Sequence, residues 1–172
     1  RDVYPDKIFL VGFMASGKST VAAAISDKLG WQVVDLDHRI ENREQRTIND
    51  IFASHGERYF RDIEKEVLNE LLNDRQMVVA TGGGTFVYGD NATAINENGT
   101  SVWLDVSFET VVRRLSDDSV RPLARDHSEM KALYQSRQVG YAKAHLHLDA
   151  NHSTVKEISD TILNHVGKGP YK

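Results

Sequence analysis

The most constraining feature of this chain is the segment at residues 12–19, GFMASGKS, which matches the pattern G-x-x-x-x-G-K-S/T. An apolar run at residues 8–13 predicts a strand before it, and a helical stretch at Lys18–Leu29, ended by Gly30, follows it. In this context the glycines let backbone N–H groups point at phosphate oxygens, and the helix N-terminus adds partial positive charge. The segment therefore predicts a phosphate-binding loop.

A loop of this kind predicts binding of a nucleoside triphosphate with Mg²⁺. The Lys18 ammonium would reach the β- and γ-phosphates, and the Ser19 hydroxyl would ligate Mg²⁺. The predicted nucleotide contacts from the loop and the first helical turn are Ala15, Ser16, Gly17, Lys18, Ser19 and Thr20. A chance match in a glycine-containing loop is the alternative, and the flanking strand and helix argue against it.

Short apolar runs alternate with helical stretches along the rest of the chain. Strands are predicted at residues 8–13, 33–36, 77–80, 101–106 and 146–148, and helices at 18–29, 39–73, 108–115, 130–144 and 154–166. The stretch 39–73 is expected in at least two pieces, the first capped by Thr47 and ended at Gly56. This alternation predicts one α/β domain over residues 1–172, with a parallel sheet covered by helices on both faces.

Composition excludes several classes of function. The chain has no cysteine, which excludes disulfides, thiolate nucleophiles and cysteine-based zinc sites. The formal net charge of −4 argues against a general nucleic-acid binder. No apolar run approaches the roughly 20 residues that span a bilayer. We therefore expect a cytoplasmic protein without a nucleic-acid or membrane partner.

Candidate ligand-binding residues follow the predicted strands, where α/β sheets bind their ligands. Asp35 and Asp37 close the second strand, and period-2 alternation would place both carboxylates on one face. Beside a phosphate loop, such carboxylates can hold Mg²⁺ and orient an attacking hydroxyl. A turn or a helix cap is the alternative. Three glycines, Gly82, Gly83 and Gly84, close the third strand and predict either a floor beneath a ligand or a flexible loop.

Three cationic positions lie further from the strands. Arg61 is three residues before Glu64 on a helix, so the two can form either an oriented pair or an ordinary surface ion pair. Arg121 precedes a proline in the polar segment 116–127, which we expect to be a mobile lid whose arginine closes over the γ-phosphate. Arg137 lies one helical turn before Tyr141. Each of these residues, taken singly, is also compatible with an ordinary surface role.

Two histidines, His145 and His147, share one face of the fifth predicted strand, a spacing that metal sites also use. Nothing else nearby completes a ligand set, and Mg²⁺ prefers oxygen ligands. We therefore interpret them as solvated strand residues.

The order of these motifs along the chain resembles the shikimate kinase family. The motifs are GFMASGKST, DLD, GERYFRDIE, TGGG, RPL and RQVGYAKA, and together they extend over nearly the whole chain. The resemblance implies a three-layer P-loop NTPase fold with a five-stranded parallel sheet and a mobile lid. It also implies phosphoryl transfer from ATP, with Mg²⁺, to the 3-hydroxyl of shikimate, giving shikimate 3-phosphate and ADP on the route to chorismate and the aromatic amino acids. Another small-molecule kinase of the same fold, such as a gluconate kinase, and a non-catalytic nucleotide-binding relative are the alternatives.

The resemblance also implies a role for each matched residue. The residues implied at the nucleotide are Lys18, Ser19 and Asp35, the last two at Mg²⁺ with Asp35 acting through water, together with Arg114 at adenine and the lid residue Arg121 at the phosphates. The residues implied at shikimate are Asp37 as hydroxyl ligand and base, Arg61 and Arg137 at the carboxylate, and Gly82, Gly83 and Gly84 beneath the ring. Lys18, Asp37 and Arg121 would be catalytic, helices at about 38–73 would bind the substrate, and the protein would be a monomer.

Some positions depart from the family pattern. Ala15 stands where the family usually has glycine, and a small residue should fit there. Arg125 is an additional cation in the predicted lid, and residues 151–153, expected near adenine, lack the arginine and proline often found there. Asp105 ends a strand as a Walker-B aspartate would, although the resemblance implies a structural role for it.

Overall fold

The computed structural model describes residues 6–116 and 127–167. Within them, strands and helices alternate as predicted. The strands are β1 Lys7–Val11, β2 Gln32–Asp35, β3 Met77–Ala80, β4 Thr100–Asp105 and β5 Leu146–Asp149. The helices are α1 Lys18–Leu29, α2 Leu36–Glu44, α3 Ile48–Leu72, α4 Asn91–Asn98, α5 Phe108–Ser116, α6 His127–Tyr141 and α7 Val155–Gly167.

The five strands form one parallel sheet in the order β2-β3-β1-β4-β5. The central strand β1 pairs with β3 and β4, so that Leu10 lies opposite both Ala80 and Val102. β1 and β3 are buried along their whole length, as expected for strands covered on both faces. The predicted five-stranded parallel sheet is confirmed, and the loops after β1, β2 and β3 meet at its carboxyl edge.

Helix α3 has the interruption that the sequence predicts. Gly56 adopts φ 84° and ψ 175°, a conformation outside the helical region that glycine reaches at little cost. The Thr47 hydroxyl accepts the backbone N–H of Asp50 at 3.1 Å and thereby caps the first piece. The second piece buries an apolar face that includes Ile63, Val67 and Leu68. The division of the helix at Gly56 is therefore confirmed.

The second strand ends earlier than predicted. β2 stops at Asp35, and α2 begins at Leu36. The Asp35 carboxylate accepts the backbone N–H of His38 at 3.1 Å, so Asp35 is a helix N-cap. The period-2 argument for Asp35 and Asp37 is wrong, because Asp37 lies in the first turn of a helix. A helix start, rather than strand pleating, therefore sets the directions of both carboxylates.

One helix is absent from the sequence-based prediction. α4 covers only Asn91–Asn98, and its buried apolar residues are Ala92 and Ile95. Asp90 precedes it without a capping side-chain hydrogen bond. So short a helix with so little periodicity gives no signal above that of a polar loop.

Most of the predicted lid is not covered by the structure. Positions 117–126, with Arg121 and Arg125, lie outside the described residues. None of the helices in the part of the chain that the structure describes combines the length and apolar character required to cross a bilayer.

Candidate active site

A cleft of about 980 Å³ opens at the carboxyl edge of the sheet. It lies between the loops that follow β1, β2 and β3 on one side and helices α2, α3 and α6 on the other. The predicted site residues that line it are Ala15, Lys18, Ser19, Asp35, Asp37, Arg61, Gly82, Gly83, Gly84 and Arg137. The cleft therefore joins the predicted phosphate loop to the predicted acid-binding residues.

The phosphate loop depends on backbone conformations that side chains disfavour. Gly12 has φ 147°, and a Cβ added there would lie 2.7 Å from the carbonyl oxygen of Leu104. Gly17 has φ 95°. Ala15, which stands where the resemblance expects glycine, has φ 62° and adopts the left-handed region despite its methyl group. This conformation costs an L-residue about 1–2 kcal/mol, which the surrounding loop must offset.

Lys18 lies at the base of this loop. Its ammonium donates hydrogen bonds to the carbonyl oxygens of Gly12, at 2.6 Å, and Phe13, at 2.9 Å. An ammonium has three donors, so one remains for a phosphate oxygen. Burial lowers the pKa of Lys18 to about 8, and the neighbouring carboxylates of Asp37 and Asp35 oppose this shift.

Two further observations fit an anion in the loop. The Ser16 hydroxyl is buried and has no hydrogen-bond partner among residues 6–116 and 127–167. Gly17 caps α1 without a side-chain hydrogen bond, and no acidic residue lies in the first turn of that helix. The first amides of α1 are therefore available to an external acceptor, and a phosphate group supplies the acceptor that both features lack.

Ser19 and Asp35 bring two oxygen atoms together at the cleft wall. The Ser19 hydroxyl donates to Asp35 Oδ2 at 3.3 Å, while Oδ1 caps α2. Mg²⁺ binds oxygen and keeps several waters, so that one or two protein oxygens and the nucleotide phosphates are enough to hold it. This donor pair therefore fits the predicted Mg²⁺ site.

Asp37 lies deeper in the cleft, against residues 82–84, the glycine segment. A Cβ added at Gly82 would lie 2.7 Å from Asp37 Oδ1. Burial raises the pKa of Asp37 to about 6, and the negative charges of Glu64 and Asp35 add to this shift, whereas Lys18 opposes it. Asp37 therefore combines a shielded position with a pKa near neutral, as a general base requires.

Two arginines from different helices converge on Gly84. A Cβ added there would lie 3.0 Å from both Arg61 Nη1 and Arg137 Nη2. Arg61 comes from α3 and Arg137 from α6, so the pair exists only in the folded chain. Two guanidinium groups side by side, with no side chain at Gly84 between them, match the hydrogen-bonding geometry of a carboxylate.

Arg61 is held in place from several directions. It is 7% exposed and donates to Glu64 Oε1 at 2.9 Å, and Glu64 is 1% exposed. Glu57 lies 3.5 Å away, and the rings of Phe60 and Tyr88 lie 5.1 Å from the guanidinium carbon. The alternative of an ordinary surface ion pair is wrong, because both charged partners are buried.

Arg137 has a different environment. Among the described residues it makes no ion pair with a carboxylate, and its guanidinium carbon lies 5.8 Å from the centre of the Phe13 ring. The Tyr141 hydroxyl, one turn along α6, donates to the carbonyl oxygen of Gly83 at 2.5 Å. Burial raises the pKa of Tyr141 to about 12, and a phenol is in any case a donor at neutral pH. Tyr141 thereby ties α6 to the glycine segment.

The residues expected near adenine make contacts within the protein. Arg114 donates to the carbonyl oxygen of Ala15 at 2.7 Å and so joins α5 to the phosphate loop. The Asn151 side chain accepts the backbone N–H of Ser107 at 2.7 Å, and the Ser107 hydroxyl accepts that of Thr110 at 3.2 Å. Ser107 therefore caps α5, and the loop after β5 is attached to the start of this helix.

The two strand histidines are exposed but have partners. His147 pairs with Asp105 at 2.8 Å and stacks on Trp103 with ring centres 4.0 Å apart. His145 precedes β5 and accepts the backbone N–H of Ser101 at 3.1 Å. Asp105 thus contacts a histidine at the edge of the sheet, in agreement with a structural role.

Sequence reasoning missed the groups that hold Arg61 and the glycine segment. Thr85 is fully buried and bonds both Glu64 and Gly82, and Tyr88 lies against Arg61. The position of Thr85 directly after three glycines was the only available signal, and a threonine there has no distinctive spacing.

Comparison with known proteins shows which family this chain is similar to. The family model described as "Shikimate kinase" matches residues 14–167. A shikimate kinase from Persephonella marina is 41% identical over 160 residues, covering 92% of this chain and 98% of that protein. The solved structure of the Acinetobacter baumannii shikimate kinase in complex with shikimate is 32% identical, with a TM-score of 0.88 over 98% of this chain and 96% of that one.

A gluconokinase from Sinorhizobium meliloti is also similar in structure, with a TM-score of 0.57 and 14% identity over 97% of this chain and 94% of that one. At that identity the likeness extends to the fold alone. The sequence motifs, the converging arginines and the matches over nearly the full length all agree, and the chain belongs to the shikimate kinase family.

Proposed function

We propose that this kinase transfers the γ-phosphoryl group of ATP to the 3-hydroxyl of shikimate, releasing shikimate 3-phosphate and ADP. The observation that carries the proposal is the convergence of Arg61 and Arg137 on Gly84, in the cleft that the phosphate loop also lines. Shikimate has one carboxylate and three hydroxyls on a small ring. A pair of guanidinium groups matches the carboxylate, and Asp37 matches the hydroxyls.

The two arginines would divide the task of binding the carboxylate. Arg61 is already oriented by Glu64, so little side-chain entropy is lost when it binds the acid. Arg137 has no carboxylate partner among the described residues, so its charge is available to the substrate. Gly82, Gly83 and Gly84 would let the ring approach the backbone closely.

Asp37 would accept the proton of the attacking hydroxyl. As the oxygen–phosphorus bond forms at the γ-phosphate and the bond to the β-phosphate oxygen breaks, the hydroxyl proton would pass to the Asp37 carboxylate. The Lys18 ammonium would bind the phosphates, and Ser19 and Asp35 would hold Mg²⁺, directly and through water respectively. Bound there, Mg²⁺ would neutralise charge on the β- and γ-phosphates.

The remaining assignments follow from the resemblance. We propose contacts to the phosphates from Ala15, Ser16, Gly17 and Thr20, and from Arg121 in a lid at about 116–127. Arg114 would lie near adenine. Substrate-binding helices at about 38–73, a single domain over 1–172, a monomeric state and a cytoplasmic location are part of the same proposal.

A coupled assay for ADP release, with ATP and Mg²⁺, tests the function. We expect turnover with shikimate and none with gluconate or quinate. Turnover with gluconate alone would identify the gluconate kinase alternative, and nucleotide binding without any turnover would identify a non-catalytic relative.

The raised pKa of Asp37 predicts the pH dependence of the reaction. An acid whose pKa is about 6 is mostly protonated at pH 5 and mostly ionised at pH 7.5. Because the base must be ionised, kcat/KM for shikimate should rise roughly tenfold per pH unit below pH 6 and level off above it. The Asp160→Asn variant, altered at a carboxylate of α7 that does not line the cleft, should keep the same profile. A rate that stays constant between pH 5 and 7 would contradict the role of Asp37.

The convergence on Gly84 predicts a large effect of one added methyl group. In the Gly84→Ala variant the new Cβ would displace the Arg61 and Arg137 guanidinium groups that now lie against Gly84. We expect the KM for shikimate to rise about tenfold or more, since charge-assisted hydrogen bonds contribute about 1.5–3 kcal/mol. The KM for ATP serves as the internal control and should stay within about twofold. An unchanged shikimate KM would show that the carboxylate binds elsewhere.

A further inference from the structure

A buried series of hydrogen bonds connects two parts of the cleft. One is its glycine floor, formed by residues 82–84, and the other is the proposed carboxylate clamp, formed by Arg61 and Arg137. The backbone N–H of Gly82 donates to the Thr85 hydroxyl at 3.1 Å, and this hydroxyl donates to Glu64 Oε2 at 2.7 Å. The other oxygen of Glu64 accepts from Arg61 at 2.9 Å. Thr85 and Glu64 are almost fully buried and Arg61 is 7% exposed, so solvent has little access to these bonds.

The donor and acceptor at each hydrogen bond of this series are determined by the chemistry of the groups. An amide can only donate and a carboxylate can only accept, so the hydroxyl of Thr85 must accept from Gly82 and donate to Glu64. A hydroxyl has one proton, and this arrangement uses it fully. Thr85 thereby joins a neutral backbone group to a charged pair, which neither a hydrophobic side chain nor a second acid could do.

The Thr85 backbone is itself fixed in place. Its N–H donates to the carbonyl oxygen of Gly82 at 3.3 Å, closing a turn. Its carbonyl oxygen accepts from the Asn91 side chain at 3.0 Å, and Asn91 is buried. The hydroxyl therefore has a defined position, and the groups bonded to it take their positions from it.

Both ends of this hydrogen-bond series lie at groups that are proposed to react with the substrate or to bind it. Gly82 lies against the Asp37 carboxylate, and Glu64 orients the guanidinium of Arg61, which lies against Gly84. A shift of the Thr85 hydroxyl would consequently move the floor of the cleft relative to the clamp.

We propose that Thr85 is a positioning residue that sets the distance between the carboxylate clamp at Arg61 and the glycine floor beneath the substrate. The inference rests on the proposed function, because it assigns the clamp to the shikimate carboxylate. Thr85 itself does not touch the substrate, and its contribution passes through Glu64 and Gly82.

The test uses three substitutions of Thr85 in the full chain. Thr85→Val keeps the shape, leaves no room for a replacing water and deprives Glu64 and Gly82 of a partner. We expect it to raise the KM for shikimate about tenfold, with a smaller change in kcat and with the KM for ATP within about twofold. Thr85→Ser, which retains the hydroxyl, should stay within about twofold of the original enzyme.

If the valine variant does not fold, Thr85→Ala replaces it. Alanine and serine both lack the threonine methyl group and differ only in the hydroxyl, so a higher shikimate KM for alanine than for serine supports the inference. Thr100→Ala is the matched control, because Thr100 is also buried but lies at the opposite end of β4 from the cleft. It should lower the unfolding temperature without changing the shikimate KM.

Two results would overturn the inference, and they are distinguishable. An active original enzyme whose shikimate KM is unchanged in Thr85→Val, or equal in the serine and alanine variants, would show that Thr85 only stabilises the fold. An original enzyme that neither binds nor phosphorylates shikimate would remove the proposed function, and this inference with it.

Discussion

The Asp37→Asn variant should lose kcat by about 10²- to 10⁴-fold, the range that general-base catalysis contributes. Asparagine keeps the shape of aspartate but cannot accept the hydroxyl proton at neutral pH. Its amide can still hydrogen-bond a hydroxyl, so shikimate should bind with only a modest loss of affinity. ATP affinity should stay within about threefold, because the proposed nucleotide contacts come from the phosphate loop. Steady-state kinetics with shikimate, together with calorimetric titration of ATP, measure both quantities.

The control for this substitution is Asp62→Asn, which makes the same chemical change on an exposed position of α3. It should leave kcat unchanged. A sharp fall in ATP affinity in Asp37→Asn, with turnover largely retained, would place Asp37 on the nucleotide side of the cleft and contradict its assignment to the substrate.

The Arg61→Lys variant should raise the KM for shikimate roughly 10- to 100-fold, with kcat affected less. Lysine retains the charge but loses the planar fork that donates two parallel hydrogen bonds to a carboxylate. Because Arg61 is buried beside Glu64, the lysine ammonium, which has fewer donors than a guanidinium, must also maintain that ion pair. Part of the ammonium's bonding capacity would therefore remain with Glu64 rather than with the substrate.

Arg58→Lys is the matched control for this second experiment, since Arg58 lies on the same helix and is exposed. Its shikimate KM should equal that of the original enzyme. If Arg61→Lys also leaves the KM unchanged, Arg61 does not belong to the carboxylate clamp, and Arg137 alone must bind the acid.

The fold was largely predictable because local signals determine it. The apolar strands, Gly17 and the helix-breaking Gly56 each act through neighbouring residues, and the structure confirms the sheet and the kink. The start of α2 was not predicted correctly. Asp35 is compatible with both a strand end and an N-cap, and only its bond to the N–H of His38 distinguishes them.

The composition of the cleft was predictable in part, whereas its internal connections were not. The order of the motifs predicts that Arg61 and Arg137 belong to the same site. Their convergence on Gly84 depends on how α3 and α6 pack. The bond between Thr85 and Glu64 spans 21 residues. Contacts of this length arise from tertiary packing, which no local spacing encodes.

The structure of a crystal grown with ADP, Mg²⁺ and shikimate is the most direct test of the account. We expect the shikimate carboxylate within about 3 Å of both the Arg61 and Arg137 guanidinium groups, and a ring hydroxyl at hydrogen-bond distance from Asp37 and facing the phosphate loop. A carboxylate bound away from the two arginines, or a ring whose hydroxyls point away from the nucleotide, would contradict it.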